Sequence, residues 1–275
     1  MTWAADALHL IEGFAARAPL PRVRALHLPP TPAPGGLRGE FCALELDDGA
    51  LGLAYVLLGD TLDTLRRGGV PVQGADALAL ARGFASGDLL RRTLGFAAMN
   101  ALTRCLFDRA GFVPAKSADS FGGLDPKPGA TLGMIGWFAP LAGRLSERGA
   151  RLVVVELRED LVRDDGRVRI TTDPRELAAC PRIMATGTLM LNDSLDRMLP
   201  FCRHAEHLAL VGPSVGAPPD PLFARGATLL GGHWVHDGRG FVEALVRGEG
   251  TGPFAWKSAL ARDAYPGWDG LLARV

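Results

Sequence analysis

The chain has 275 residues, of which 48% are hydrophobic, and its 30 basic and 30 acidic side chains give a formal net charge of zero. High apolar content excludes a mainly disordered chain, and the absence of net positive charge disfavours nucleic-acid binding through bulk electrostatics. No apolar run approaches the roughly 20 residues of a membrane span, and the charged start does not fit a signal peptide. We therefore expect a cytoplasmic protein that binds neither nucleic acid nor membrane, with its four scattered cysteines reduced.

The first part of the chain changes from strands to helices along its length. Apolar residues at helical spacing predict a helix over about 3–14, and the Asp-Asp-Gly turn at 47–49 predicts a β-hairpin. Two further helices are expected at about 74–84 and 88–109. Strands followed by helices predict a small α+β domain over residues 1–117.

The second part alternates short apolar strands with helices. A stretch rich in glycine, proline and aspartate predicts a linker at 118–130. The β-α-β alternation that follows predicts a Rossmann-like, mostly parallel sheet over 131–250. One amphipathic helix is expected to carry Leu191 through Cys202 on a single face. Residues 251–275 are expected to form a C-terminal tail that contains aromatic side chains.

Ligands of open α/β sheets bind beyond the carboxyl ends of the strands, and two glycines occupy such a position here. Gly133 and Gly136 are followed by Glu156, which comes 20 residues after Gly136, the spacing at which an acid binds a ribose hydroxyl in nucleotide-binding folds. The three-glycine fingerprint is incomplete. A tight turn with a solvated Glu156 is the alternative interpretation.

A second candidate turn combines hydroxyl, glycine and amide groups. Thr186, Gly187, Thr188 and Asn192 follow a buried strand and could hold a carboxylate, phosphate or oxyanion. Ordinary helix capping explains the same residues equally well.

Two further positions are candidates for the wall of a cleft. Gly212 and Ser214 belong to a G-x-S-x-G pattern, but prolines follow where a nucleophile elbow needs a helix. A cleft-lining loop is therefore favoured over a serine hydrolase that uses His233 or His236 as its base. Asn100 lies among small residues and must find hydrogen-bond partners. It either bonds to nearby backbone or faces a cleft between the domains.

Histidine and cysteine occur close together at Cys202, His204 and His207, and again at His233 and His236. A closed structural zinc site is disfavoured, because Cys202 is expected in the core and residues three apart on a strand face opposite sides.

Six ordered segments together resemble one bacterial and archaeal family of unknown function, the "putative heavy-metal chelation domain" proteins. The segments are 95–101, 133–141, 153–157, 185–196, 211–214 and 223–232. The resemblance spans about residues 40–247 and implies an enolase N-terminal-like domain, a Rossmann-like domain and a site in the cleft between them. The residues carried over by motif are Asn100, Gly136, Phe138, Glu156, Thr186, Gly187, Thr188, Asn192 and Ser214. The chain departs from the common pattern at Asp193, where glycine is usual, and at Trp137, where tyrosine or a smaller residue is typical.

Three functions follow as hypotheses. The favoured one is a protein that binds a small molecule or metal chelate in the interdomain cleft, with a role in metal homeostasis. The alternative is an enzyme that binds an adenine-containing cofactor, S-adenosylmethionine or a nicotinamide nucleotide. The third is an interaction module, such as a homodimer, that uses the aromatic tail. The ligand, the cofactor and any catalytic residue are not specified by the sequence.

Overall fold

The computed structural model describes residues 2–31, 40–68, 71–117 and 122–275. Within these ranges the α-helices are α1 (Trp3–Arg17), α2 (Thr61–Arg66), α3 (Ala77–Arg82), α4 (Leu89–Arg109), α5 (Ala139–Glu147), α6 (Thr188–Leu191), α7 (Leu195–Met198), α8 (Asp220–Phe223), α9 (Gly238–Arg247) and α10 (Trp268–Leu272). The strands are β1 (Val23–His27), β2 (Phe41–Leu46), β3 (Leu51–Tyr55), β4 (Ala115–Lys116), β5 (Thr131–Ile135), β6 (Arg151–Val155), β7 (Arg163–Asp164), β8 (Val168–Thr171), β9 (Arg182–Thr186), β10 (His207–Val211), β11 (Leu229–Gly231), β12 (His233–Val235) and β13 (Ala255–Ala261).

A small antiparallel sheet in the order β1-β2-β3 is packed against the long helix α4. The predicted hairpin turn joins β2 to β3. Helix and sheet approach closely at Gly52, where an added Cβ would collide with the backbone of Ala97 and Ala101. The helix α2 was not predicted, because six residues with buried Leu62 and Leu65 are too few to show a helical period.

The larger sheet has the strand order β12-β13-β11-β10-β9-β5-β6-β8-β7, and β4 pairs with β13. Its central strands, from β11 through β8, are parallel. The strands β4, β7, β12 and β13 pair antiparallel with their neighbours. A mostly parallel sheet beside a small antiparallel one confirms the predicted α/β fold class.

The C-terminal residues form part of the large sheet. The strand β13 pairs with β11 at one end and with β12 at the other, and the Gly231–Gly232 step lies between those two strands. Beyond it, α10 packs against α1, where Trp268 Nε1 donates to Leu10 O at 3.1 Å. The limits predicted for the domains, the linker and the tail stay predictions. A role of the tail in forming oligomers also stays a prediction. Residues 118–121 of the predicted linker lie outside the described residues.

The single helix predicted after β9 is wrong. The structure has two one-turn helices, α6 and α7, followed by a 3-10 helix over Leu199–Cys202. The helix is interrupted at Asp193, whose φ of +62° lies in the left-handed region, which costs an ordinary residue free energy and does not continue a right-handed helix. Leu191, Leu195 and Cys202 are nevertheless buried, which explains why their spacing indicated one apolar face.

The two sheets share one hydrophobic core. Its buried members include Trp3 of α1, Leu94 of α4, Ile183 of β9, Leu222 of α8 and Trp268 of α10. This packing fixes α4 beside the loop that follows β10. Among the described residues, no helix combines the length and the apolar character that crossing a bilayer requires.

Candidate functional site

The turns after β5 and β6 are held together by the carboxylate of Glu156. Its Oε2 accepts from Trp137 N at 2.8 Å, and its Oε1 accepts from Leu157 N at 2.7 Å and Arg158 N at 3.3 Å. Gly136, with φ +87°, donates its N–H to Val155 O at 2.9 Å. Glu156 thus satisfies backbone donors of two neighbouring turns. A bond to ribose from Glu156 stays a prediction.

The turn after β9 bonds mainly to itself and to the next strand. Thr186 Oγ1 lies 3.1 Å from Thr188 Oγ1 and accepts from Thr188 N at 3.2 Å. Gly187 N donates to Val211 O at 2.9 Å, and an added Cβ at Gly187 would lie 2.5 Å from Val215 Cγ2. The glycine is therefore required for this close approach between turns.

The loop after β10 connects the large sheet to α4. Gly212 N donates to Gly231 O at 2.9 Å, and the buried Ser214 presents its carbonyl oxygen to Asn100 Nδ2 at 2.9 Å. Gly136, Thr186, Gly187, Gly212 and Glu156 therefore lie on neighbouring strand ends, in contact from one turn to the next.

Three other predicted site residues contribute to packing or to a turn in the structure. Gly133 lies within β5, where an added Cβ would be 2.8 Å from Ile183 Cγ1, so it allows close packing in the core. Phe138 packs against the apolar cluster beside β5. Asn192 Oδ1 accepts from Ser194 N at 3.2 Å at the break between α6 and α7.

The amide of Asn100 joins the two sheets. It is 4% exposed, and its Nδ2 donates to Leu53 O at 2.7 Å and to Ser214 O at 2.9 Å. Its Oδ1 is buried and has no hydrogen-bond partner among the residues that the structure describes. Buried polar atoms in native proteins are nearly always paired, so an unpaired acceptor calls for an explanation.

Asn100 lies on the wall of a cavity of about 70 Å³, which we call the inner cavity. One wall comes from β3 and α4, and the other comes from the loop after β10 together with β11, β12 and β13. Its polar lining residues are Asn100, Thr103, Arg104, His233, Trp234 and Ser258. Pro213, within the predicted 212–214 loop, also lines the inner cavity, whereas the other predicted residues are not among its lining residues.

A second cavity of about 250 Å³, the outer cavity, adjoins the inner one. Leu53, Pro213 and His233 line both cavities, so these side chains lie between the two spaces. The titratable residues that line the outer cavity are Glu40, His233 and Glu249.

Burial shifts the pKa of two titratable groups that line these cavities. It lowers the pKa of His233 to about 4, with a smaller effect from Lys257, so the imidazole is neutral at neutral pH. Burial also raises the pKa of Glu40 above its ordinary value. The guanidinium of Arg104 is already engaged, because its Nε lies 2.8 Å from both Asp108 oxygens and the group lies 3.7 Å from the centre of the Trp234 ring.

The described residues do not fit a bare heavy-metal ion. Within 2–31, 40–68, 71–117 and 122–275 there is no group of three or more His, Cys, Asp or Glu side chains that could hold one. All four cysteines are buried. Burial raises the pKa of Cys42 to about 12 and that of Cys180 to about 11, which keeps them as thiols rather than as metal-binding thiolates.

Sequence reasoning missed Glu40 and Arg104, and it considered His233 only as a zinc ligand or as a base for Ser214. No local motif indicates these residues, because β2, α4 and β12 reach the cavities from distant parts of the chain. The pairing of His233 with Lys257 in β13 could have been found only by predicting β13 as a strand.

The sequence matches models of two protein families. The family described as "Putative heavy-metal chelation" (DUF364) matches residues 119–262, and a second family with the same description (DUF4213) matches residues 39–103. The chain belongs to the DUF364 family. The predicted resemblance is thereby confirmed. The described residues nevertheless contain no cluster of side chains that could chelate the metal named in the family description.

Solved structures of two family members show the same fold. A protein of unknown function from Pyrococcus horikoshii is 20% identical, with 94% of this chain and 100% of that chain covered and a TM-score of 0.67. One from Desulfitobacterium hafniense is 18% identical, with 94% and 99% covered and a TM-score of 0.66. No curated protein matches the chain. Identities this low support the fold alone.

Proposed function

We propose that the protein binds a small organic molecule, free or as a metal chelate, in the inner cavity between its two sheets. The observation that carries this proposal is that Asn100, a residue of the cavity wall, has a buried Oδ1 with no hydrogen-bond partner in the described parts of the chain. An unsatisfied buried acceptor costs about 1–3 kcal/mol, and a ligand that donates a hydrogen bond to it recovers this free energy on binding.

The hydrogen-bond network determines which way the amide of Asn100 points. Both hydrogens of Nδ2 are used by the carbonyls of Leu53 and Ser214. The flipped amide would place Oδ1 against these two carbonyl oxygens, which are acceptors. Asn100 therefore offers the cavity an acceptor, and the ligand must present an N–H or O–H group to it.

The side chains available as metal ligands also determine how a metal could be bound. Since the described residues supply no cluster of ligands, a metal would enter as part of a chelate whose other atoms satisfy its coordination. The protein would then recognise the organic part through Asn100. This form of the proposal agrees with the family description without assigning protein thiolates to the metal.

The substitution Gly216→Ala tests the proposal without disturbing the core. An added Cβ at Gly216 would lie 3.8 Å from Asn100 Oδ1, at ordinary van der Waals distance, and would cover the acceptor. We expect this variant to fold normally and to lose ligand binding by at least about tenfold, since a lost hydrogen bond in a dry site costs more than about 1 kcal/mol.

Calorimetry and thermal-shift screening supply the measurement. The probes are metal–citrate complexes, molybdate, free divalent ions, S-adenosylmethionine, nicotinamide nucleotides and a cell metabolite extract. Gly87→Ala is the matched control, because no atom lies within 4 Å of its added Cβ. A ligand that binds Gly216→Ala as tightly as the wild type would refute the role of Asn100, and the absence of any ligand would refute the proposed function.

A further inference from the structure

The outer cavity carries charged side chains that the proposed function does not use. Glu40 and Glu249 line it, and neither side chain forms a hydrogen bond or ion pair with any residue among those described. Glu40 is half-buried, and loss of solvation raises its pKa. A carboxylate removed from water without a partner is unfavourable, and a cation beside it would offset this cost.

Within the described parts of the chain, no positive side chain that lines the two cavities is available to compensate these carboxylates. Arg104, the cation that lines the inner cavity, is bonded to Asp108 and to the carbonyl of Val235. His233, at the junction, is neutral. Among the described lining residues the outer cavity is therefore acidic.

Two aromatic rings complete the outer cavity. Phe41 and Phe241 line it together with the carboxylates. Aromatic faces attract cations through their quadrupole, and aromatic rings combined with carboxylates are the usual recognition surface for ammonium groups. Among the described lining residues, an anion would meet two carboxylates without a partner and no free positive charge, so this surface disfavours an anion.

We infer that the ligand is a small organic amine whose ammonium group lies in the outer cavity near Glu40, Glu249, Phe41 and Phe241. Its other end reaches past His233 and donates a hydrogen bond to Asn100 Oδ1. The inference rests on the proposed function, because the inner end of the ligand occupies the site described there. The inferred ligand is a cation, whereas one interpretation of the turn at 186–192 was that it holds an anion.

Matched four-carbon probes test this charge preference. Putrescine and n-butylamine present an ammonium group on a butyl chain, and succinate presents carboxylates on a chain of the same length. Isothermal titration calorimetry at low ionic strength is carried out on the wild type, on Glu40→Gln and on Glu147→Gln. Glu147 is an exposed residue at the end of α5 and serves as the control.

We expect each amine to bind the Glu147→Gln variant with the same affinity as the wild type. Putrescine should bind Glu40→Gln about tenfold or more weakly, because a charge-assisted hydrogen bond is lost. Equal affinity in Glu40→Gln, or no amine binding to the wild type, would overturn the inference. Binding of succinate to the wild type would also overturn the inference. The proposed function would stand in that case if Gly216→Ala still weakened the binding of another ligand from the screen.

Discussion

The imidazole of His233 lies at the junction of the two cavities, where burial lowers its pKa to about 4. The unfolded chain has the ordinary value of about 6.5, so the unfolded state binds the proton more tightly. Stability from this group is therefore complete above about pH 6.5 and is lost as the pH falls toward about 4. The largest loss is about 3 kcal/mol.

Urea unfolding of the wild type and His233→Gln, followed from about pH 7.5 to about pH 4.5, checks this expectation. The variant lacks the titrating ring, so its stability should fall less over this range than that of the wild type. Parallel stability curves for the two proteins would show that His233 is not held neutral by the fold.

At the scale of elements, the contact between α4 and β3 decides the position of Asn100. Gly52 permits this contact, because any side chain would collide with the backbone of Ala97 and Ala101. We expect Gly52→Ala to destabilise the protein by at least about 2 kcal/mol, as overpacking in a rigid interface does. It should also weaken ligand binding, since Asn100 would be displaced from Leu53.

The matched control for this prediction is Gly13→Ala in α1, where an added Cβ meets no atom within 4 Å. That change should stabilise the protein by up to about 1 kcal/mol through helix propensity. Chemical denaturation of both variants gives the comparison. If the Gly52→Ala variant were as stable as the wild type, α4 and β3 would not approach as closely as the structure indicates.

At the scale of the whole molecule, the four cysteines report on the integrity of the fold. Cys42, Cys105, Cys180 and Cys202 are at most 3% exposed, and burial raises the pKa of each thiol. Both effects suppress reaction with thiol reagents. We expect almost no labelling by a chromogenic disulfide under native conditions and four equivalents in guanidinium chloride. Rapid native labelling, or its suppression by zinc, would instead indicate accessible metal-binding thiolates.

Local periodicity in the sequence was sufficient for most elements. The face of α1 from Trp3 to Phe14, the β2–β3 hairpin and the parallel strands other than β8 were predicted, because helical and strand periods are properties of adjacent residues. The prediction failed at Asp193, where a single left-handed residue interrupts an apolar pattern that otherwise continues. The short α2 was missed for a different reason, since six residues are too few to show a helical period.

The candidate site was predicted in part. Asn100 was singled out because an amide among small residues must find partners, and in the structure it bonds to the backbone and also lines the inner cavity. The direction of its Oδ1 depends on the carbonyls of Leu53 and Ser214, which belong to distant segments. No spacing within the sequence could indicate that pair.

The sequence by itself determined the class of fold, many of its elements and the family, because these depend on patterns along the chain. The tertiary structure alone decided which polar groups face a common space. Glu40, Asn100 and His233 come from three distant parts of the chain and meet around two adjoining cavities. Their protonation and pairing depend on burial, and burial is a property of the packed molecule rather than of any segment.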